Sequence, residues 1–514
     1  MTQINKSIFR RYYISLFFIF QVTFLFAQIQ VKEKPNWQNM DLKTEGLFGM
    51  STEKAYTQLL KDKHPVPVIV AVIDGGVDID HKNFKGMIWT NPKEIPNNGK
   101  DDDGNGYIDD IHGWNFLGSS KGSFHRDNKE IIRLLRLALK KDSISSEALA
   151  LKKEVQDKKM SLVNAVKTMT EQLDILTIIK KQIGKESPSL DEFKNYRYQT
   201  AAESKVLVMV VKGLQNDPEF IKKFEDRYQL YQNQINYLIN INYDPRAGNP
   251  EFQERFHGNG DVKSLEPTHG THVSGIIAAI PTNNIGIQGV AKEAKIMSII
   301  AIPDGDFVDG DVAGAILYAV DNGAKVINIS ANKDISPNRN LVDEAVQYAM
   351  KNDVLIIHAA GNNGSDVDDE QRYPSKKYQN GGTAEAWIEV GASASVDNEL
   401  LVPWFSNYGK TIDVFAPGLD IYSTYPNNSY AYANGTSMAA PMVSGLAAII
   451  RAYYPNLNAI EVKKIIMDSV LKVKHQVKIN SGKMVDFSSV CSSGGIVNVY
   501  NALLLAGKRS ALKL

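Results

Sequence analysis

Four apolar runs rich in β-branched residues constrain the fold of this chain more than any other feature. Each run is short and continuous rather than alternating, which is typical of strands buried on both faces of a parallel sheet. Between the later runs lie "DVAGAILYAVDNG" and "NLVDEAVQYAMKND", whose apolar residues recur at helical spacing. The runs cover residues 66–74, 294–302, 324–330 and 354–361. This alternation predicts an α/β fold, with a doubly wound, mainly parallel sheet and helices on both faces.

Residues 127–243 break that pattern. The segment is rich in Lys, Glu, Gln and Leu, and stretches such as "KEIIRLLRLALKK", "SSEALALKKEVQDKK" and "MTEQLDILTIIKKQ" place apolar residues three and four positions apart. This spacing predicts an all-α insertion of four to five amphipathic helices. The pattern does not sustain a heptad, so we do not expect a long coiled coil. The predicted α/β domain then covers 66–126 and 244–507, with an N-terminal extension at 28–65 and a C-terminal tail at 508–514.

The N-terminal residues are typical of a targeting segment. Lys6, Arg10 and Arg11 precede an apolar run at 12–27, and a small residue, Ala27, stands at the end of that run. This arrangement predicts a secretory signal peptide at residues 1–27. The alternative is an uncleaved anchor, but the run is short for spanning a bilayer. We therefore expect an exported protein, secreted or periplasmic, with no stable membrane span after signal cleavage.

Charge and cysteine content exclude several other roles. Lys plus Arg and Asp plus Glu both number 58, so the net charge gives no reason to expect a nucleic-acid partner. The single cysteine, Cys491, cannot form an intrachain disulfide, and we interpret it as a small packing residue. An exported protein without disulfides commonly needs another stabilising element, and a bound metal is one candidate. We expect a monomer.

Three residues stand at the ends of predicted elements in contexts that suggest chemistry. Asp74 closes the first apolar run in "VAVIDGGVD", His269 opens the helical "HGTHVSG", and Ser437 precedes an apolar small-residue helix in "NGTSMAAPM". Taken singly, they have plain structural interpretations as a turn residue, a core histidine and a helix N-cap. Together, an acid, a histidine and a serine are the parts of a nucleophilic hydrolase. Histidine suits the base role because its pKa lies near neutrality.

These segments resemble the motifs of the subtilisin-like serine peptidases, the subtilase family. "VAVIDGGVD" resembles the family's aspartate motif, "HGTHVSG" its histidine motif, "GTSMAAP" its serine motif and "AAGNNG" its oxyanion motif, and the order Asp, His, Ser is also that of subtilisin. The resemblance implies that Asp74 orients His269, that His269 acts as general base and then acid, and that Ser437 attacks the substrate carbonyl. It further implies that Asn362 and the Ser437 backbone N–H stabilise the oxyanion. His272, the second histidine of its motif, is then structural.

The resemblance also implies a substrate-binding edge, and here the chain departs from the family. The family usually has Ser-Leu-Gly where "VINISANKD" has Ser-Ala-Asn, and Gly75 follows the aspartate in place of a serine or threonine. Residues of this kind pair with the substrate and form walls of the primary specificity pocket, so Asn332 leaves the substrate preference open. The implied substrate-binding residues are Ser330, Ala331, Asn332, Ala359, Ala360 and Gly361.

Three functions are compatible with this pattern. The first is an exported serine endopeptidase acting on polypeptides through an acyl-enzyme. The second is a catalytically silent subtilase fold used as a binding or adaptor protein, and the third is an esterase or peptide ligase using the same serine. The four retained positions favour an active peptidase. The insertion is either a solvated decoration or a gate or docking surface, which makes it a possible site for a protein partner.

One acidic segment, "NNGKDDDGNGYIDDIHGWNF", predicts a structural calcium ion. Its spacing follows the first eight positions of an EF-hand loop. His112 stands at position twelve in place of the bidentate glutamate, and Asp109 or Asp110 could substitute for it. The alternative is an acidic, glycine-rich turn without an ion. The predicted calcium ligands are Asp101, Asp103, Asn105, Tyr107, Asp109 and Asp110.

Overall fold

The four apolar runs form neighbouring strands of one sheet. The computed structural model describes residues 33–141, 143–254, 256–282 and 287–513, so the predicted signal peptide lies outside the described residues. The strands of the described chain are β1 (Val68–Asp74), β2 (Gly113–Asn115), β3 (Gly118–Ser119), β4 (Gly122–Ser123), β5 (Ala294–Ile300), β6 (Val326–Ile329), β7 (Leu355–Ala359), β8 (Trp387–Ser393), β9 (Val414–Pro417), β10 (Ile421–Tyr425), β11 (Ser429–Ala433), β12 (Leu471–Lys472), β13 (Gln476–Lys478), β14 (Met484–Asp486) and β15 (Gly495–Ile496).

The order of the strands places a crevice beside β1. Within the described residues the main sheet has the order β12-β15-β9-β8-β7-β6-β1-β5-β2. All neighbouring strands in it are parallel except β12 and β15. The chain passes from β1 to β5 on one side and later to β6 on the other, so the winding reverses at β1. In open α/β sheets, ligands bind at the carboxyl ends of the strands at such a reversal.

Side chains of β1 alternate between two apolar layers. Val70 and Val72 pack in one layer with helices α8 (Thr268–Ala278), α11 (Thr436–Tyr453), α12 (Ala459–Asp468) and α14 (Val499–Ala511). Ala71 and Ile73 pack in the other layer with α9 (Asp309–Asp321) and α10 (Arg339–Lys351). Both layers are buried, which explains why the strand is apolar throughout. The predicted fold class is therefore confirmed. The helices of the described chain are α1 (Leu42–Glu45), α2 (Thr52–Gln58), α3 (Glu130–Leu139), α4 (Ser146–Ile183), α5 (Leu190–Asn195), α6 (Ala201–Asn216), α7 (Phe220–Asn233), α8 (Thr268–Ala278), α9 (Asp309–Asp321), α10 (Arg339–Lys351), α11 (Thr436–Tyr453), α12 (Ala459–Asp468), α13 (Phe487–Val490) and α14 (Val499–Ala511).

Contacts divide the described chain into two compact units, Arg126–Pro245 and Glu33–His125 with Arg246 onward. The described part of the N-terminal extension belongs to the second unit's core, because Trp37 and Met50 are fully buried there. At the other end, α14 continues through Ala511, into residues that the sequence assigned to a tail. No helix among the described residues combines the length and apolar character needed to cross a membrane.

The unit Arg126–Pro245 consists of α3 to α7 and a π-helical turn, Gln234–Leu238. The predicted helices at "SSEALALKKEVQDKK" and "MTEQLDILTIIKKQ" are one helix, α4, of 38 residues. The side chain of Ser145 accepts a hydrogen bond from the Ala148 N–H at its start, and Gly184 in a left-handed conformation ends it.

Burial along α4 recurs at seven-residue intervals at one of the two apolar positions that a heptad requires. Ala148, Val155, Leu162, Met169 and Leu176 are all buried and stand seven residues apart. In a full heptad a second set of apolar residues would follow each of these by three positions. Leu151 and Ile179 meet that requirement at the two ends. The three middle positions, which are polar or small, obscure the pattern in the sequence: Lys158, Ala165 and Gln172.

Candidate active site

Asp74 and His269 form a hydrogen-bonded pair at the carboxyl end of β1. Asp74 is 3% exposed, and its Oδ1 and Oδ2 lie 2.9 and 2.8 Å from His269 Nδ1. The Gly75 N–H also donates to Asp74 Oδ1, at 2.8 Å. Because a carboxylate only accepts hydrogen bonds, His269 Nδ1 carries a proton and Nε2 is left free to take one. The backbone N–H of Gly75 thus supports the aspartate without the hydroxyl that the family usually has next to it.

Helix α8 brings His269 to the aspartate by a close approach of backbones. A side chain at position 270 would clash with the backbone oxygen of Gly76 and lie within 3.2 Å of Asp74 Cβ. Gly270 therefore lets the first turn of α8 lie against the loop that follows β1. The His269 side chain remains 43% exposed, so its imidazole is reachable from solvent.

The electrostatics of the pair favour the protonated imidazole. Burial lowers the pKa of His269, but the charge of Asp74 and the hydrogen bond to it outweigh burial, so the pKa lies above its ordinary value of 6.5. His269 is therefore poised to accept a proton, and its neutral form is available only at pH values above that raised pKa.

Ser437 is the second residue of α11, a helix buried over almost its whole length that packs against α8. Its hydroxyl is half-buried and donates to the Ser330 carbonyl at 3.1 Å. Within the described residues, no hydrogen bond joins Ser437 Oγ to His269. The structure thus joins Asp74 to His269 directly, and it leaves the serine hydroxyl on a neighbouring carbonyl.

A proline inside α11 explains part of the link between Ser437 and β6. Pro441 has no N–H, so the Ser437 carbonyl lacks the donor that normally comes from four residues later. The Ser330 hydroxyl supplies it, donating to the Ser437 carbonyl at 3.1 Å. Asn328 in turn donates to Ser330 Oγ at 3.0 Å and accepts from the Ser444 hydroxyl at 2.9 Å. A buried polar network therefore ties the end of β6 to the start of α11.

Two hydrogen-bond donors flank the space above Gly435. Asn362 Oδ1 accepts from the N–H and hydroxyl of Thr436, at 2.8 and 3.0 Å, which fixes the orientation of its amide. A Cβ at position 435 would lie 3.3 Å from Asn362 Nδ2 and 3.5 Å from the Ser437 backbone nitrogen. Two donors converging on one point suit an oxyanion, and glycine keeps that point open.

The predicted substrate-binding residues lie on two neighbouring segments. Ser330, Ala331 and Asn332 continue from β6, and the Asn332 amide donates to the Ala359 carbonyl at 3.4 Å. Ala360 and Gly361 follow β7, and the Gly361 N–H donates to the Thr436 hydroxyl at 3.0 Å.

His272 has the structural role expected from the sequence. It is 2% exposed, and its Nε2 lies 3.1 Å from the carbonyls of Ile421 and Ala431 on the hairpin of β10 and β11. Burial lowers the pKa of His272 to about 4. A neutral His272 therefore fastens α8 to this hairpin.

The acidic loop brings together three carboxylates, one of which the EF-hand comparison missed. Oxygen atoms of Glu94, Asp101 and Asp103 lie within 4.8 Å of one another. Glu94 Oε1 accepts from the backbone N–H groups of Asp102 and Asp103, whereas its buried Oε2 has no hydrogen-bond partner among the described residues. Oxygen ligands of this kind fit Ca²⁺, and an unsatisfied buried carboxylate oxygen is costly without a cation. Glu94 precedes the EF-hand frame, so the motif could not reveal it.

Among the described residues, Asp109 and Asp110 contribute no carboxylate oxygen to this cluster, whereas the roles of Asn105 and Tyr107 as ligands stay predictions. Asp109 accepts from the N–H groups of a tight turn at Asn98 and Gly99. Asp110 is fully buried, accepts from the Tyr318 hydroxyl at 2.7 Å, and has a pKa raised by burial to about 6. Asn105 Oδ1 accepts from the Tyr107 N–H, and the Tyr107 ring packs edge-on against Tyr318.

Comparisons with known proteins point to one family. Residues 67–489 match the family model described as the Subtilase family. A thermophilic serine proteinase from Bacillus sp. (strain AK1) is 41% identical over 206 residues, covering 40% of this chain and 47% of that protein. Thermitase from Thermoactinomyces vulgaris is 40% identical over 183 residues, covering 35% of this chain and 60% of thermitase. The matches thus span less than two thirds of either relative. A solved protease structure from Pseudoalteromonas arctica has a TM-score of 0.41 and 25% identity, over 49% of this chain and 79% of that one.

Proposed function

Because this chain belongs to the subtilase family, we propose that it is an exported serine endopeptidase that cleaves polypeptides through Asp74, His269 and Ser437. The observation that carries the proposal is the Asp74–His269 pair, held at the strand end where the winding of the sheet reverses. Helix α11, which carries Ser437, packs beside the helix that carries His269.

In the proposed reaction, the Ser437 hydroxyl leaves the Ser330 carbonyl and gives its proton to His269 Nε2 as Oγ attacks the peptide carbonyl carbon. Asp74 stabilises the imidazolium that forms. The oxyanion accepts from Asn362 Nδ2 and the Ser437 N–H, and the positive end of the α11 dipole adds to this stabilisation. His269 then protonates the leaving amine, which yields the acyl-enzyme. Water, deprotonated by His269, attacks the ester carbonyl carbon. The bond between that carbon and Ser437 Oγ then breaks, His269 returns the proton to Oγ, and the carboxylic acid product leaves.

The proposed substrate is an extended polypeptide. Its backbone pairs with the segment Ser330–Asn332, and the residues after β7, Ala359 to Gly361, line the other side of the pocket. Asn332 presents a carboxamide where the family usually has glycine, which favours small or polar substrate side chains over large apolar ones.

We propose that calcium has a structural role, held by Glu94, Asp101 and Asp103. The support is the unsatisfied, buried Glu94 Oε2 beside two further carboxylates. A bound Ca²⁺ would offset two of the three adjacent negative charges, and it takes no part in the peptide-cleavage steps.

The basic start and apolar run of residues 1–27 support export to the periplasm or outside the cell. We further propose that the protein acts as a monomer, and that the insertion offers a surface to a protein partner.

The test is to compare the wild type with Ser437→Ala on a denatured protein substrate, with a fluorophosphonate probe alongside. We expect loss of probe labelling and a fall in proteolysis of at least about 10⁴-fold. Asn362→Ala should retain labelling while lowering turnover by roughly 10²–10³-fold, because only one oxyanion donor is lost. Ser510→Ala, on the last helix, serves as the matched serine control.

The outcomes separate the competing functions. Labelling that persists in Ser437→Ala contradicts the nucleophile assignment. Labelling of the wild type without proteolysis favours the esterase, and absence of both favours the silent adaptor.

A further inference from the structure

A buried histidine lies directly behind the proposed substrate-binding edge. His358, on β7, is 1% exposed, and its Nε2 lies 2.9 Å from the Ala331 carbonyl. Its Nδ1 lies 2.7 Å from Glu389 Oε1 on the neighbouring strand β8. Glu389 is also buried, and its second oxygen accepts from the Trp387 indole N–H at 2.9 Å.

The geometry determines where one proton of the histidine lies. A backbone carbonyl only accepts, so His358 Nε2 carries a proton and donates it to the Ala331 carbonyl. Nδ1 and Glu389 Oε1 form the second contact, which pairs the histidine with the glutamate. Burial raises the pKa of Glu389, but the charge and hydrogen bond of His358 outweigh burial and hold that pKa below its ordinary value.

Such an ion pair is a costly way to fill a core. A buried ion pair commonly gives no more stability than apolar residues of similar volume, because the desolvation penalty offsets the attraction. What the pair does provide is a donor aimed at one carbonyl. That carbonyl belongs to Ala331, the residue after Ser330, whose own carbonyl accepts the Ser437 hydroxyl.

The hydrogen bond to the Ala331 carbonyl constrains the backbone on either side of it. The Ala331 carbonyl accepts from His358 Nε2, whereas the Ser330 carbonyl before it accepts from the Ser437 hydroxyl, so consecutive carbonyls of this segment have different partners. Lys333, the residue after Asn332, is fixed as well. Its buried ammonium group donates to Asp309 and to the Phe307 carbonyl, both at 2.8 Å.

We propose that His358, oriented by Glu389, is a positioning residue that holds the edge Ser330–Asn332 in line to pair with the backbone of the bound polypeptide. This inference rests on the proposed peptidase function. It assigns to the pair a role in peptide binding, and none in the reactivity of Ser437 itself.

Two double variants test this role, because both remove the ion pair and only one removes the donor. His358→Leu with Glu389→Leu leaves no buried charge and no donor to Ala331. His358→Gln with Glu389→Gln keeps a side-chain amide N–H that can reach the Ala331 carbonyl. Each is assayed for kcat and KM on a peptide of about six residues, for the rate of fluorophosphonate labelling and for thermal unfolding. For the leucine pair we expect KM to rise about tenfold, with kcat and labelling within about threefold of wild type. For the glutamine pair we expect KM within about threefold of wild type.

The proposal is overturned if KM is unchanged in the leucine pair, or if KM rises equally in both double variants. It is also overturned if the labelling rate of the leucine pair falls by as much as its affinity for the peptide. If the leucine pair does not fold, His358→Asn with Glu389→Gln replaces it, because the shorter amide does not reach Ala331. A wild type that neither labels nor cleaves peptides contradicts the peptidase function instead, so the two failures are distinguishable.

Discussion

Two acceptors compete for the hydroxyl proton of Ser437. The structure shows it on the Ser330 carbonyl, whereas the proposed reaction requires it on His269 Nε2. A substrate that pairs with the edge at Ser330 would bring a backbone N–H to that carbonyl. The carbonyl would then be satisfied by the substrate, and the hydroxyl would be free to turn to the histidine. Binding and activation of the nucleophile are in this way coupled through one backbone oxygen.

The raised pKa of His269 predicts the pH dependence of activity. The base must be neutral to accept a proton, so kcat/KM should rise with pH through a midpoint above 6.5, the ordinary histidine value. Asp74→Asn removes the charge that raises this pKa. We therefore expect the midpoint to move to lower pH and kcat to fall by roughly 10⁴-fold.

The measurement is kcat/KM against pH with a fluorogenic peptide. Asp468→Asn, which removes only a surface ion pair with Arg509, is the control. A midpoint that stays the same in Asp74→Asn would mean that Asp74 does not set the charge state of the base.

The acidic loop carries a prediction about stability. Calcium at about 100 times its Kd should stabilise the protein by roughly 3 kcal/mol, since it binds only the folded loop. Glu94→Gln removes one charged ligand and should abolish most of this effect. Asp109→Asn lies outside the carboxylate cluster and should keep its response to calcium.

Thermal unfolding with calcium and with a chelator is the measurement. If chelation leaves the wild-type melting temperature unchanged, the loop is an acidic turn that needs no ion.

The central strands could be predicted from the sequence, and the reason is their burial on both faces. β1, β5, β6 and β7 lie inside the predicted runs and differ from them by at most two residues at either end. β8 has the same location in the sheet but was not predicted, because Glu389 interrupts its apolar run. That charge is tolerated only because His358 lies opposite it, 31 residues away in sequence. The edge strands β2 and β12, and β15 beside β12, have two or three residues and carry no pattern of their own.

The candidate site also contains residues that the local sequence predicts and residues that it does not. Asp74 and His269 stand in long motifs, so their pairing could be predicted before any coordinates. Glu94 and His358 have no local signature. Each acquires its role from partners that the fold brings near, and no period or motif in the sequence encodes such partners.

At the scale of the whole molecule, the insertion is a separable unit. Its two ends are tied to each other, since the Tyr243 hydroxyl donates to the Arg126 carbonyl at 3.0 Å, and it has apolar clusters of its own. Replacing residues 127–243 with a short Gly/Ser linker should therefore leave a folded protein with fluorophosphonate labelling within about threefold of wild type. If the insertion is a gate, the deletion should also broaden the range of unfolded proteins that are cleaved.

Both results come from one comparison of the deletion variant with the wild type on a panel of denatured proteins. An unchanged cleavage profile would contradict the gate, and loss of labelling would contradict the separate folding of the two units.

Helix α4 has a consequence for how the insertion moves. Its 38 residues span about 57 Å, and two different apolar clusters use its two halves. Ala148, Leu151 and Val155 belong to the cluster with α3, whereas Leu176 and Ile179 belong to the one with α5 and α6. Helix α4 is thus shared by two small apolar clusters that do not stabilise each other directly. We therefore expect that either end can fray while the other keeps its amide protons from exchange.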